Sequence, residues 1–179
     1  MKQLFLVLAV SLLVSCSMDE EVFIFNGSER TESFKDMREK FELKRAAWER
    51  LGIQNYQLTR RFSWDALPYF EPMTFEISEG KSPVLINPEL HPEEIANRPL
   101  EAIRAKSITE IFDMIDTAFS EIERIKRGER PRIRTLTFNI KYHPRYHFPM
   151  EYQFIVTWAD RELTGSPQNE LIVTEFIQR

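Results

Sequence analysis

The sequence predicts an α+β fold: an antiparallel sheet of five to six strands with two main helices packed on one face, in the order α-β-β-(β)-α-β-β-β. Three observations carry this. A continuous apolar stripe runs from Ile108 to Ile125 at helical spacing, and a weaker one runs from Phe34 to Leu51. Several segments alternate apolar and polar residues with period two, the pattern of a sheet with one dry and one wet face. The connections between the last three such segments are short enough for hairpins, which makes neighbouring strands antiparallel.

Taken in order, the chain opens with Met1-Lys2 and an apolar run from Leu4 to Val14. One positive charge, an apolar stretch of about 7–15 residues and small residues at its end describe a secretory signal peptide. The run is too short to span a bilayer, which takes about 20 residues. It ends in Leu13-Val14-Ser15-Cys16, and Cys16 is the only cysteine of the 179 residues. This tetrapeptide resembles the lipobox of bacterial lipoproteins. The resemblance implies cleavage before Cys16, which becomes the new N-terminus and carries acyl chains such as palmitate. One chain holds a protein only reversibly, and three hold it durably. Ser17 in place of aspartate implies outer-membrane sorting, with the domain in the periplasm or at the cell surface. The expected organisation is therefore 1–15 signal peptide, 16–32 acylated cysteine and tether, and 33–179 a single domain.

The tether carries the acidic trio Asp19-Glu20-Glu21 and a turn at Asn26-Gly27-Ser28. Between them Val22-Phe23-Ile24-Phe25 is too apolar for a free linker and is expected to dock on the domain as a short strand. Residues 33–51 then place Phe34, Met37, Phe41, Trp48 and Leu51 on one helical face, with Ser33 as N-cap and Gly52 just past the end. Tyr56, Leu58, Arg60 and Phe62 alternate through a first strand, and Met73, Phe75 and Ile77 through a second. Val84-Leu85-Ile86 offers a third. Six of the ten prolines fall between Pro68 and Pro99, so that stretch is expected to be irregular apart from helical pieces near 92–96 and 100–105.

Ser107 and Glu110 form a capping box for the second main helix, and Gly128 ends it. Burying Ile108, Ile111, Phe112, Ile115, Phe119, Ile122 and Ile125 contributes on the order of 10–20 kcal/mol gross, at about 1.5–3 kcal/mol each. Leu136 to Tyr142 and Met150 to Trp158 then alternate cleanly as two strands joined by Pro144–Pro149. Leu171 to Ile177 is a third, apolar on both parities, so its facing is open.

Several local words in this order resemble an uncharacterised family of small bacterial lipoproteins, a domain of unknown function. They are Trp48 followed by Gly52-Ile53 and Asn55-Tyr56, the strand ending Glu79-Gly80, the Ile108/Phe112/Ile115 helix, and the turn Tyr142-His143-Pro144-Arg145-Tyr146-His147-Phe148-Pro149. The likeness covers roughly residues 45–160. It implies the fold and the compartment and carries no activity. The cysteines common in that family after the first strand are here Arg61-Phe62-Ser63-Trp64, so no thiol role carries over.

The net charge of −4, which becomes −5 once Lys2 is removed, excludes the basic footprint of a nucleic-acid binder. A single cysteine excludes an internal disulfide. There is no Gly-x-Ser-x-Gly elbow and no phosphate-cradling glycine loop. No catalytic residue, cofactor or metal is assigned. His143 and His147 lie on a loop, His91 is remote in sequence, and zinc needs three or four ligands. Asp113 and Asp116 flank the apolar stripe as solvated charges, and Arg60 and Arg61 are read as surface ion-pairing residues. The candidate binding surface is the turn of Tyr142, His143, Tyr146, His147 and Phe148, because amphipathic rings favour interfaces. The expected role is a non-enzymatic binding or scaffold domain, held to the bilayer through Cys16 and contacting another envelope protein. The alternatives are a periplasmic small-ligand or metal sensor, and a hydrolase with an unrecognised site.

Overall fold

A computed structural model describes residues 23–24, 34–64, 72–79, 81–86, 106–129, 133–158 and 168–179. The elements are β1 (Phe23–Ile24), α1 (Phe34–Arg50), β2 (Tyr56–Trp64), β3 (Met73–Ile77), β4 (Val84–Leu85), α2 (Ile108–Lys126), β5 (Ile133–Tyr142), β6 (Pro149–Trp158) and β7 (Gln168–Gln178). The sheet order is β1-β5-β6-β7-β2-β3-β4. Strands β2 to β7 pair antiparallel, and the expected α+β order holds. The short tether strand also forms: β1 pairs in parallel with β5, Phe23 beside Thr137 and Ile24 beside Phe138. Ser33, Gly80 and the helical pieces expected at 92–96 and 100–105 lie outside the described residues.

Helix α2 starts where the capping box predicts. Glu110 N–H donates to Ser107 Oγ at 3.2 Å, and Ser107 N–H donates to Glu110 Oε2 at 2.9 Å. Two of the orphan donors at the helix start are thereby satisfied. All seven stripe residues are buried. The helix stops at Gly128, whose φ of 72° is the left-handed conformation that glycine adopts without strain. Its N–H donates to Ile125 O at 2.9 Å, and Glu129 N–H donates to Arg124 O at 3.0 Å.

Met37, Phe41 and Trp48 of α1 are buried as the spacing predicts. Leu51 is not: the helix ends at Arg50, and Leu51 is 44% exposed in the turn that follows. Phe41 bridges the helices, with ring centroids 5.7 Å from Phe112 and 5.1 Å from Phe119. Phe119 reaches the sheet at Phe138, 4.8 Å away, edge to face. The N-terminus of α2 is tied to β2 directly, since Ile108 N–H donates to the Tyr56 hydroxyl at 3.0 Å. Burial pushes that phenol up to about 12.

A β-bulge explains why the facing of β7 is illegible in the sequence. Thr59 pairs with Glu175 but Arg60 pairs with Val173, so Thr174 is an extra residue on β7. The slip reverses parity. Leu171 and Val173 face the core before it, and Phe176 packs on the core after it. Strand β7 also begins earlier than expected, at Gln168, because Asn169 pairs with both Trp64 and Phe154.

Arg60 requires a correction. It is fully buried, whereas Arg61 is exposed. It shares the inward parity of Leu58 and Phe62 on a strand flanked by β7 and β3, and its guanidinium carbon lies 5.2 Å from the Phe75 ring centroid. Arg60 therefore belongs to the interior and not to surface ion pairing. Asp113 and Asp116 do sit on the flanks of α2, and they serve to fasten it. Arg45 Nη2 donates to Asp113 Oδ1 at 2.8 Å, and Arg38 Nη1 lies 2.6 Å from Asp116 Oδ1.

Candidate functional site

The aromatic turn between β5 and β6 is closed by its own backbone. His143 N–H donates to Phe148 O at 2.7 Å, and His147 N–H donates to His143 O at 2.9 Å. The His143 ring completes the turn: Arg145 N–H and Tyr146 N–H both donate to Nδ1, each at 3.1 Å. That geometry fixes Nδ1 as an acceptor. Partial burial lowers the His143 pKa, and the charges of Arg145 and His147 add to the effect. His147 adopts φ 65° and places its Nδ1 3.5 Å from Lys44 Nζ.

The rings of this turn point inward. Phe148 is fully buried, 5.7 Å from Trp48 and 4.9 Å from Phe176. Tyr146 is half-buried against Phe176 at 4.9 Å and His143 at 4.8 Å. Tyr142 is half-buried, with Lys44 Nζ 5.9 Å from its ring centroid. The five residues do come together, yet Phe148 presents nothing to solvent and His143 Nδ1 is committed to the backbone. Pro144 and Arg145 are the exposed residues of the turn. Among the described residues no group of three or more His, Cys, Asp or Glu is placed to hold a metal. Cys16 lies outside the described residues. No described helix is long and apolar enough to cross a membrane.

The concave site lies elsewhere, between α2 and the sheet. A cavity of about 620 Å³ has its floor in Phe62, Tyr152, Phe154 and Asn169, from β2, β6 and β7. Its wall is one flank of α2: Glu110, Asp113, Met114, Thr117, Ala118 and Glu121. These positions recur every three or four residues, which puts them on one side of the helix beside the core-facing stripe. The interior is mainly apolar. Tyr152 is buried, and burial drives its phenol well above the usual tyrosine range. Asn169 Oδ1 is buried with no hydrogen-bond partner among the described residues.

The carboxylates at the cavity wall are engaged. Glu110 Oε2 accepts from the Lys106 and Ser107 backbone, Asp113 accepts from Arg45, and Glu121 Oε2 accepts from Arg124 Nη1 at 3.2 Å. Two carboxylates poised for general acid–base work would require environments that drive their pKa values apart, and these three are held by separate structural partners. The arrangement suits binding: a mainly apolar cavity with structural ion pairs at its wall.

Sequence reasoning passes over this site. The available signal is that Met114 and Ala118, outside the seven-residue stripe, widen the apolar face of α2 on one flank. Comparison with known proteins finds no matching family model, no matching curated protein and no matching solved structure.

Proposed function

We propose that the chain is a bacterial envelope lipoprotein, fastened to the outer membrane by an acylated Cys16, whose α+β domain binds a small, mainly apolar molecule between α2 and the sheet. The cavity of about 620 Å³ is the observation that supports the binding role. Small-molecule sites typically measure about 300–1,000 Å³, with apolar walls and a few fixed polar groups. Phe62, Phe154 and Met114 supply most of the lining, so the preferred ligand has a mainly apolar body. No reaction is assigned to the cavity, because the ion pairs at its wall serve the fold.

The aromatic turn is the weaker seat for function. Its Phe148 ring is inside the core and its His143 Nδ1 is occupied by two backbone donors, which accounts for those residue types without a partner. A neutral naphthylamine dye that brightens in apolar surroundings tests the reading. Saturable brightening at about one dye per chain, with a Kd in the micromolar range (about −8 kcal/mol), is expected. Dye fluorescence that stays at its aqueous level, or rises linearly without saturating, contradicts it.

A further inference from the structure

We propose that His143 is a proton-operated latch on the turn between β5 and β6. The turn is closed while Nδ1 is unprotonated, and protonation there opens residues 144–147 and lifts Tyr146 off Phe176. The latch requires neither the acylation of Cys16 nor the cavity beside α2. Two donors are aimed at one ring nitrogen: Arg145 N–H and Tyr146 N–H both donate to His143 Nδ1, each at 3.1 Å. A neutral imidazole accepts through one nitrogen, so its own proton sits on Nε2. The next proton goes to Nδ1, where it meets both N–H groups head on. Both hydrogen bonds are lost, and three donors crowd where one acceptor stood.

No Asp or Glu among the described residues offsets the new charge. Within the turn the imidazole faces Arg145, Tyr146 and His147. Helix α1 contributes Lys44, whose Nζ lies 3.5 Å from His147 Nδ1 and 5.9 Å from the Tyr142 ring centroid. Strand β7 contributes Phe176, which is uncharged. On β5 and β6, Lys141 and Glu151 hold each other at 2.5 Å. Partial burial, then the charges of Arg145 and His147, hold the His143 pKa below its usual value. The closed turn therefore binds the proton more weakly than the open one, and acid favours opening.

The opening is local. His147 sits at φ 65°, a left-handed conformation that a residue with a Cβ adopts at a cost. The two bonds to Nδ1 help to hold it there, together with His147 N–H donating to His143 O at 2.9 Å. Phe148 is the fixed end, fully buried, with its carbonyl accepting from His143 N–H at 2.7 Å. Tyr146 is half-buried, its ring centroid 4.9 Å from that of Phe176, and it is the ring free to move. The open turn offers Tyr146 and one face of Phe176 to solvent. An aromatic surface hidden at neutral pH thereby becomes available in acid. The opening equilibrium should rise by up to about tenfold per pH unit from about 6.5, the ordinary histidine value, down to the lower value of the closed turn.

Hydrogen exchange of the full chain in uncharged detergent micelles provides the test, read as protection factors so that the intrinsic pH dependence of exchange drops out. Between about pH 7.5 and about pH 4.5 the protection of the Arg145 and Tyr146 amides should fall at least about threefold. That of Ile115, buried in the middle of α2, should stay within about twofold. His143→Asn keeps an acceptor for the two backbone donors without a titrating ring, and it should hold the protection flat. His147→Asn tolerates the left-handed conformation and removes the other imidazole, and it should keep the fall. Flat protection in the unaltered chain overturns the proposal. So does a fall that survives His143→Asn or vanishes in His147→Asn, or an equal fall at Ile115, which would mean that the whole domain unfolds. Should His143→Asn not fold, the unaltered chain and His147→Asn still decide between the two results.

Discussion

The aromatic turn and the cavity-side flank of α2 invert each other. The turn has every sign of an exposed binding surface, with two histidines, two tyrosines and a phenylalanine in seven residues. It spends them on the fold: Phe148 fills the space among Trp48, His143 and Phe176, and His143 caps its own turn. The flank of α2 looks like ordinary helix surface, with Glu110, Asp113, Thr117 and Glu121 in register. It walls the cavity of about 620 Å³. The difference is a matter of neighbours. Residue type sets what a side chain can do, and the elements packed against it determine whether that capacity is already used.

The largest expected effect breaks the turn side of the contrast. Phe148→Ala removes a fully buried ring and should lower stability by about 3–5 kcal/mol in urea unfolding. Because the cavity is elsewhere, dye affinity measured on the folded fraction should not change. A loss below about 1 kcal/mol would mean that the turn is peripheral after all.

The cavity side is probed by filling it. Ala118→Met extends a long side chain into the hollow from a buried position on the wall. Stability should change by less than about 1.5 kcal/mol, while the dye Kd rises at least about tenfold, about 1.4 kcal/mol. Unchanged dye affinity would place binding outside this chamber.

A smaller effect is expected where the wall is anchored. Ser107→Ala deletes the capping acceptor of α2 and should cost about 1 kcal/mol. The same chemical shifts that report Tyr56 should move, because its hydroxyl accepts from the first residue of the helix.

The smallest effect concerns His143. Its folded pKa is lowered, so the unfolded chain binds the proton more readily. The stability it contributes is complete above the unfolded histidine value of about 6.5 and is lost as pH falls through the lower folded value. NMR titration should put the His143 midpoint below about 6.5; a midpoint above it would show that Nδ1 is not held as an acceptor.

How much was legible follows from the range of each signal. The α2 start, stripe and stop are local, and Ser107, Glu110 and Gly128 act as their spacing predicts. The wet and dry parities of β5 and β6 were equally local. Three features were not. Arg60 is buried because β2 lies inside the sheet, which depends on pairings more than a hundred residues apart. The facing of β7 turned on a bulge at Thr174, visible only opposite β2. The cavity arises where one flank of α2 stands off from β2, β6 and β7, and no single segment encodes a gap between elements.

The most direct test of the account is the intact mass of the protein recovered from the membranes of its native host. A chain beginning at Cys16, heavier than its sequence by the mass of a diacylglyceryl group and a further acyl chain, is the predicted result. A chain that still carries Met1, or one that begins at Cys16 without lipid, would contradict it.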